Sequence, residues 1–415
     1  APRLQRSVSR DAVAQDVRFA LRLARASPLV TAIIVLTIAL GIGANTAIFS
    51  IVDAVLLRPL PFPHGEELVS LWATNPDKSI TRFGVSYADF EDWQARTRSY
   101  RGMALYAPSL TSLNGPGGPE SVASLNVSSN FLSVVGLRPE VGRFFGADDA
   151  RGESSNSVVL TYGYWQRRFG GRRSVIGERY SLNGRLRTVI GVLPRDADLL
   201  GPALSGAPLD AITVAEFTTY PRIELHAQHL FGALARLAPG VTLAQARAEL
   251  YGTEVALATE HPDIAGWTAS VFRFSDDLSV SSRQPLLLLL GASGVLLLIA
   301  CINVANLLVV RGALRGRELA LRGALGATRT RLVRQLVIES IVLGVAGGGL
   351  GAAGAAAALG AIRRLIPPGA IARSSDIGMQ PAVLAFALFA TVATAVLFGA
   401  WPAVRNADVC IVVAG

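Results

Sequence analysis

Cysteine is almost absent from this 415-residue chain: only Cys301 and Cys410 occur, and neither lies in the long stretch from residue 53 to 284. That stretch cannot hold itself together with disulfides and must rely on its own core. Charge is scarce as well. Charged residues make up 17% against 51% hydrophobic, a balance too apolar for an ordinary soluble enzyme and suited to membrane helices carrying one polar domain. A phosphate-cradling G-x-x-x-x-G-K-[ST] loop is missing too. Gly115-Pro116-Gly117-Gly118-Pro119 has the glycines but neither the lysine nor a following helix, so these residues are not expected to hydrolyse ATP. No G-x-S-x-G elbow or other nucleophile constellation occurs, and the many Ser and Asp residues stand in capping and turn contexts. The expectation is a protein that is not an enzyme and holds no cofactor or metal.

Four apolar runs carry no Asp, Glu, Lys or Arg: Leu29–Val52, Pro285–Val310, Ser340–Ile362 and Pro381–Val404. Each exceeds the roughly 20 residues an α-helix needs to cross about 30 Å of hydrocarbon. The net charge of +9 resembles a nucleic-acid footprint until the arginines are located. Arg18, Arg22 and Arg25 precede the first run, and Arg311, Arg315, Arg317, Arg322, Arg329, Arg331 and Arg334 lie between the second and third. Flanking arginine marks the cytoplasmic side, which places both termini inside and the long segment outside the membrane, with Arg363, Arg364 and Arg373 of the short third loop mildly opposing. The first run is too long for a signal-peptide core and follows a charged leader, so a retained signal anchor is expected.

The expected fold class is therefore a membrane bundle of four transmembrane α-helices with a large α+β extracytoplasmic domain between spans 1 and 2. Its boundaries are a leader at 1–28, spans at 29–57, 284–311, 336–362 and 380–404, the outer domain at 58–283, a cytoplasmic segment at 312–335, an outer loop at 363–379 and a tail at 405–415. In the leader, Val13, Val17, Ala20, Leu21 and Ala24 share one helical face and Arg18, Arg22 and Arg25 another. This suits either a helix along the inner leaflet or an extension of span 1. Arg58-Pro59-Leu60-Pro61-Phe62-Pro63 cannot continue a helix. Beyond it, strand-type runs (Leu68–Ala73, Ser121–Val127, Ser157–Leu160, Leu186–Leu193) alternate with helical ones (Tyr87–Thr97, Phe131–Val135, Tyr162–Phe169, Leu243–Thr259). Asn183-Gly184 predicts a tight hairpin turn. Ser128, Ser129 or Asn130 can cap the helix at Phe131, and Gly136 can end it.

Four constellations invite a functional reading. His226-Ala227-Gln228-His229 could share a metal if helical, but no carboxylate or cysteine cluster accompanies it in sequence, and a surface pair is the expectation. Asn45, Asn303, Asn306 and Glu339 are polar exceptions within or beside the spans. They are read as hydrogen-bonding between helices, with Glu339 at the cytoplasmic margin, rather than as a polar path. Gly344, Gly347, Gly348, Gly349, Gly351 and Gly354 give the third span a smooth surface for close packing against the first span or another protomer, with Gly347, Gly348, Gly351 and Gly354 as the expected packing residues. The segment Arg315–Thr328 is a basic helix with apolar Leu319, Ala320 and Leu325 and a glycine stop. It suits either a groove of a cytoplasmic partner or anionic lipid.

The R-x-R-E-L-A-L-R-x-A-L-G-A pattern at Arg315–Ala327 resembles the coupling region of MacB/FtsX-type ABC transporter permeases. The leader and first span, Asp16–Arg22, Leu40–Ser50 and Leu56–Pro61, resemble the acidobacterial-type orphan branch of that family. Leu125–Val127 through Phe131, Gly142-Arg143-Phe144-Phe145 and Ile190-Gly191-Val192 resemble its MacB-like periplasmic core domain. The resemblance implies a permease subunit of a type VII system in the bacterial inner membrane, paired with a second permease unit and a separate cytoplasmic ABC ATPase, whose motion it passes to the periplasmic domain by mechanotransmission. Arg317, Glu318, Leu319, Arg322 and Gly326 would contact that partner; membrane lipid would surround the spans, and no nucleic acid is expected. The chain departs from the branch in carrying one unit instead of two and in its tail, 406–415, so a truncated homologue acting as an accessory subunit of another membrane complex is the rival expectation.

Overall fold

A computed structural model describes residues 10–115, 118–150, 156–215, 217–220, 225–314, 329–365 and 378–393. They fall into two compact units, one drawn from Ala1–Leu57, Ser282–Leu365 and Ser375–Gly415, the other Arg58–Ser281.

In the first unit, α1 (Arg10–Ala26) is a helix of its own, separated from α2 (Pro28–Val52) by Ser27 in a non-helical conformation (φ −133°, ψ 73°) with Pro28 at the first turn of α2. Proline forces that break, because it restricts the residue before it. Of the two readings of the leader, a plain extension of span 1 is thus set aside. A π-helical turn, Asp53–Leu57, closes the apolar helix just before Arg58-Pro59. The other helices are α8 (Phe274–Leu314) and α9 (Arg329–Leu365), with α10 at Pro381–Ala393. Among the described residues, three stretches are long and apolar enough to cross a membrane: Pro28–Leu57, Ser282–Val310 and Val337–Ile362. The fourth expected span, Pro381–Val404, is described only over α10, which is too short to cross; its remainder lies outside the described residues.

The second unit is an α+β domain around an eleven-stranded mixed sheet among the described residues. Its strands are β1 (Leu68–Asn75), β2 (Ile80–Phe83), β3 (Tyr100–Gly115), β4 (Gly118–Val127), β5 (Val141–Gly142), β6 (Ser157–Leu160), β7 (Arg179–Leu182), β8 (Arg185–Val192), β9 (Ala211–Val214), β10 (Gly232–Leu237) and β11 (Thr268–Arg273). The order is β11-β1-β10-β3-β4-β9-β6-β8-β5, with β2 beside β1 and β7 beside β3 and β8. Only β4–β9 and β6–β8 are parallel. At one end α3 (Tyr87–Arg96) and α7 (Leu243–Glu260) bury Phe90, Trp93, Ala246, Leu250 and Leu257 with β-strand residues such as Val69, Leu71 and Val271. At the other, α5 (Tyr162–Phe169) buries Tyr164, Trp165 and Phe169 with Val158 and Val189.

Local chemistry sets these elements. Ser86 and Thr161 cap α3 and α5 by accepting from Asp89 N and Tyr164 N, and Thr242 with Gln245 forms a capping box on α7. The Asn183-Gly184 turn takes positive φ at both residues (51° and 76°) and closes β7 onto β8 with Leu182 opposite Arg185. The cap expected for α4 (Phe131–Val135) takes a different form. Asn130 makes no cap bond; its Nδ2 donates to Met103 O (2.8 Å), and Ser128 Oγ accepts from Leu105 N (3.1 Å), so both side chains tie the helix start to β3. Gly136 ends α4 at φ 80°.

Two buried polar fasteners replace the missing disulfides. Arg236, on β10 and 7% exposed, donates to Val134 O (2.8 Å), Val135 O (2.9 Å), Pro63 O (3.0 Å) and His64 O (3.0 Å), satisfying the carbonyl end of α4 and the loop before β1. The motifs Gly142–Phe145 and Ile190–Val192 meet where β5 pairs with β8: Gly142 lies opposite Gly191, and a Cβ on either would collide with the Ile190 or Arg143 carbonyl. Arg143 then reaches Asp149, whose buried carboxylate accepts from Arg143 Nη1 (2.6 Å) and Nη2 (3.1 Å), Ser157 Oγ (2.7 Å) and Gly146 N (2.9 Å).

These bonds, that of Arg143 foremost, hold the Asp149 pKa down to about 2. A folded pKa below the unfolded value stabilises the native state above the unfolded pKa and loses that contribution as pH falls through the folded one. Asp149→Asn should therefore cost roughly 1–2 kcal/mol at neutral pH and remove part of the stability loss between about pH 4 and pH 2. Denaturant unfolding of both proteins across that window checks this; parallel losses would refute the assignment.

Candidate functional site

The described part of the membrane unit is organised by where side chains are missing. A Cβ on Gly351 of α9 would stand 2.7 Å from Ala39 O and 3.0 Å from Gly43 N of α2; one on Gly43 would stand 2.9 Å from Gly351 O. The two backbones touch at that level. One turn earlier, Gly347 lies under Ile38, and Gly348, on another face of α9, lies against Thr391 of α10. Gly354 and Gly349 face open space. Ile34, Ile38 and Ile42 of α2 with Val304 of α8 and Leu343 of α9 form the apolar cluster around this contact.

Polar groups tie the remaining helices to α2. Asn45, 3% exposed, donates from Nδ2 to Ser293 O (2.8 Å) on α8 and to Gly41 O (2.9 Å), and its Oδ1 accepts from Ser293 Oγ (3.0 Å). Gly41 leaves room for Leu297 and Ala300 of α8. Ser50 Oγ donates to Gly378 O (2.8 Å), and Phe49 stacks on Phe386 at 4.3 Å. Glu339 is buried. The expected hydrogen bonding between helices is thus found at Asn45, whereas Asn303 and Asn306 are exposed on α8. The leader is anchored as well: Arg334 Nε of α9 donates to Asp16 Oδ2 of α1 at 2.9 Å.

Arg317, Glu318, Leu319, Arg322 and Gly326 lie outside the described residues. The His226/His229 pair requires a correction. It stands on a turn, not a helix, and neither ring is a surface group: His226 is 8% exposed and hydrogen-bonds Asp89, while the His229 side chain is 2% exposed and stacks on Trp267. Burial lowers the His229 pKa. Their companions are Asp89 and Asp92 on α3, Glu254 on α7 and His261 just after it. Sequence reading missed the cluster because Asp89 and Asp92 lie more than a hundred residues before the histidine pair, and Glu254 and His261 at least 25 residues after it.

The glycine contact yields a contrast within one helix. Gly351→Leu should destabilise the chain by about 1–3 kcal/mol through forced helix separation, whereas Gly354→Leu should stay within about 0.5 kcal/mol. Thermal unfolding of the detergent-solubilised chain measures both, and equal shifts would overturn the packing assignment.

The family model described as the MacB-like periplasmic core domain matches residues 31–251, and that of the FtsX-like permease C-terminal region matches 290–407. Among curated relatives, the macrolide export ATP-binding/permease protein MacB of Shigella flexneri is 24% identical over 286 residues, covering 69% of this chain and 42% of that protein. The ABC transporter permease YknZ of Bacillus subtilis (strain 168) is 28% identical over 246 residues, covering 57% and 58%. The chain thus spans less than two thirds of the length of these relatives. The crystal structure of the periplasmic region of MacB from Actinobacillus actinomycetemcomitans aligns with 15% identity and a TM-score of 0.38, covering 53% of this chain and 94% of that one. With its core-domain match extending over more than half of the 415 residues, the chain belongs to the MacB/FtsX-type ABC transporter permease family.

Proposed function

We propose that the chain is a non-catalytic permease subunit of a MacB/FtsX-like, type VII ABC system in the bacterial inner membrane. It transmits the motion of a separate cytoplasmic ATPase to a periplasmic domain and does not conduct substrate through its helices. The observation that carries this reading is the tandem match, a core domain followed by an FtsX-like permease region, on a chain with membrane-length helices. These 415 residues contain no phosphate loop, which supports reading ATP binding as the partner's. The four apolar runs support four spans, and the arginine distribution supports both ends of this sequence being cytoplasmic.

A second permease unit is supported by α8. Its most apolar stretch is 11% buried within the chain, against 33% for the other two spans, and it exposes Asn303 and Asn306. Asparagine inside hydrocarbon faces protein or water, so this face suits a second unit.

Topology is checked with single cysteines in a background lacking Cys301 and Cys410. Arg138→Cys and Arg185→Cys, both on exposed positions, should react with an impermeant thiol reagent in cells with an opened outer barrier, and Arg322→Cys should not. The reverse pattern would invert the topology. Coupling is checked by Glu318→Arg with Arg322→Glu, which should abolish co-purification of the ATPase while leaving the permease folded. If no ATPase accompanies the wild-type chain, the transporter reading gives way to an accessory role.

A further inference from the structure

We propose that Asp92, His226 and His261 of the core domain bind a divalent transition-metal ion of the zinc class. The three residues come from α3, from the turn before β10 and from the end of α7, and one potential ligand atom from each lies within 4.8 Å of the others. His226 Nε2 is 3.9 Å from Asp92 Oδ2, and the His226 and His261 rings lie face to face with centroids 3.9 Å apart and 30° between planes. Ligands of tetrahedral zinc stand about 3.3 Å apart, given metal–ligand distances of about 2.0–2.1 Å. Binding of an ion would draw the three ligand atoms together from separations that are all within 4.8 Å.

The surroundings orient these ligands. His226 Nδ1 donates to Asp89 Oδ1 at 2.5 Å, which leaves Nε2, 3.9 Å from Asp92 Oδ2, to offer its lone pair. This is the carboxylate–histidine–metal arrangement that fixes an imidazole's tautomer and strengthens it as a ligand. Asp92 is held in turn, since its Oδ1 accepts from Arg96 Nε at 3.2 Å and Oδ2 faces His226. Asp92 and His261 are half-buried, giving an ion a route in.

An independent observation is a pair of buried carboxylates each satisfied on one oxygen only, Asp89 by His226 and Glu254 by Trp93. Asp89 and Glu254 are fully buried, and Asp89 Oδ2, Glu254 Oε1 and the neighbouring His229 Nε2 have no hydrogen-bond partner. Unpaired buried acceptors of this kind are costly, and a bound cation offsets that cost. Two imidazoles with one carboxylate select zinc-class ions over magnesium or calcium, which prefer oxygen ligands, and leave a coordination position open to water.

The test uses the 415-residue chain, purified through a tag without histidine, stripped with chelator and titrated with Zn2+ by calorimetry. One Zn2+ per chain should bind and raise the unfolding temperature, Mg2+ should not substitute, and Co2+ should give the visible absorption of a low-coordinate site. Asp92→Asn, nearly isosteric and half-exposed, and His261→Ala should each weaken Zn2+ binding at least about ten-fold with the circular dichroism unchanged. His64→Ala, at an exposed histidine outside the cluster, should bind as wild type. Failure of the wild-type chain to bind Zn2+ in preference to Mg2+, or undiminished binding by folded Asp92→Asn, would overturn the site.

Discussion

Hydrocarbon gives helices no hydrophobic reason to associate, so the described membrane unit depends on backbones coming close enough for dispersion contacts and polar pairs to act. Gly43 and Gly351 supply that approach between α2 and α9. Once the two backbones touch, Ile38 covers Gly347, Ile34 and Ile42 close on Leu343, and Gly348 receives Thr391. Asn45 then acts as a single polar bolt: it satisfies itself on Gly41 and Ser293, and so fixes α8 in register with α2. Small residues set the distance and one amide sets the register.

The core domain meets the opposite problem. It buries apolar surface readily, but a chain without cysteine there must fasten its loops by other means. Arg236 gathers carbonyls from α4 and the loop before β1, and Asp149 gathers donors from Arg143, Gly146 and Ser157. Both use charge-assisted bonds, which are shorter and stronger than neutral ones. Arg236 joins a strand to a helix end and a loop, whereas Asp149 closes its own loop through Arg143 and Gly146 and fastens it to β6 through Ser157. The Gly142–Gly191 contact shows why the sequence motifs around those residues hold together, since the backbone pairing that positions Arg143 tolerates no side chain at either glycine.

Much of this fold is legible in the sequence where a single segment decides its own structure. Ser157–Leu160, Phe131–Val135 and Tyr162–Phe169 are found with the bounds their patterning predicts, and Asn183-Gly184 closes its hairpin, because period, capping and turn chemistry are local. The longest strand was not legible. β3 carries Pro108 in its interior, which ordinarily demotes a strand, yet Pro108 falls between the residues pairing with β10, which end at Tyr106, and those pairing with β7, which begin at Leu113. On that side no neighbour asks it for an N–H. Asn130 reads as a cap and instead bonds Met103 O, since a tertiary acceptor on β3 competes with the helix terminus.

The histidines show the same limit in its sharpest form. His226 and His229 read as a surface pair because their own neighbourhood holds no cluster of acids or cysteines; tertiary packing brings Asp89, Asp92, Glu254 and His261 to them. A ligand set assembled from three elements leaves no spacing rule in the chain, whereas a helix-packing glycine run does, because all of its members sit on one helix. Even there the spacing ranks candidates without assigning them: Gly351 and Gly354 are one turn apart, and only Gly351 meets another backbone. What separates them is the helical face: the contact with α2 runs on through Leu359, eight residues past Gly351 and packed with Ala47, Ile51 and Ala54, while Gly354 points away from it.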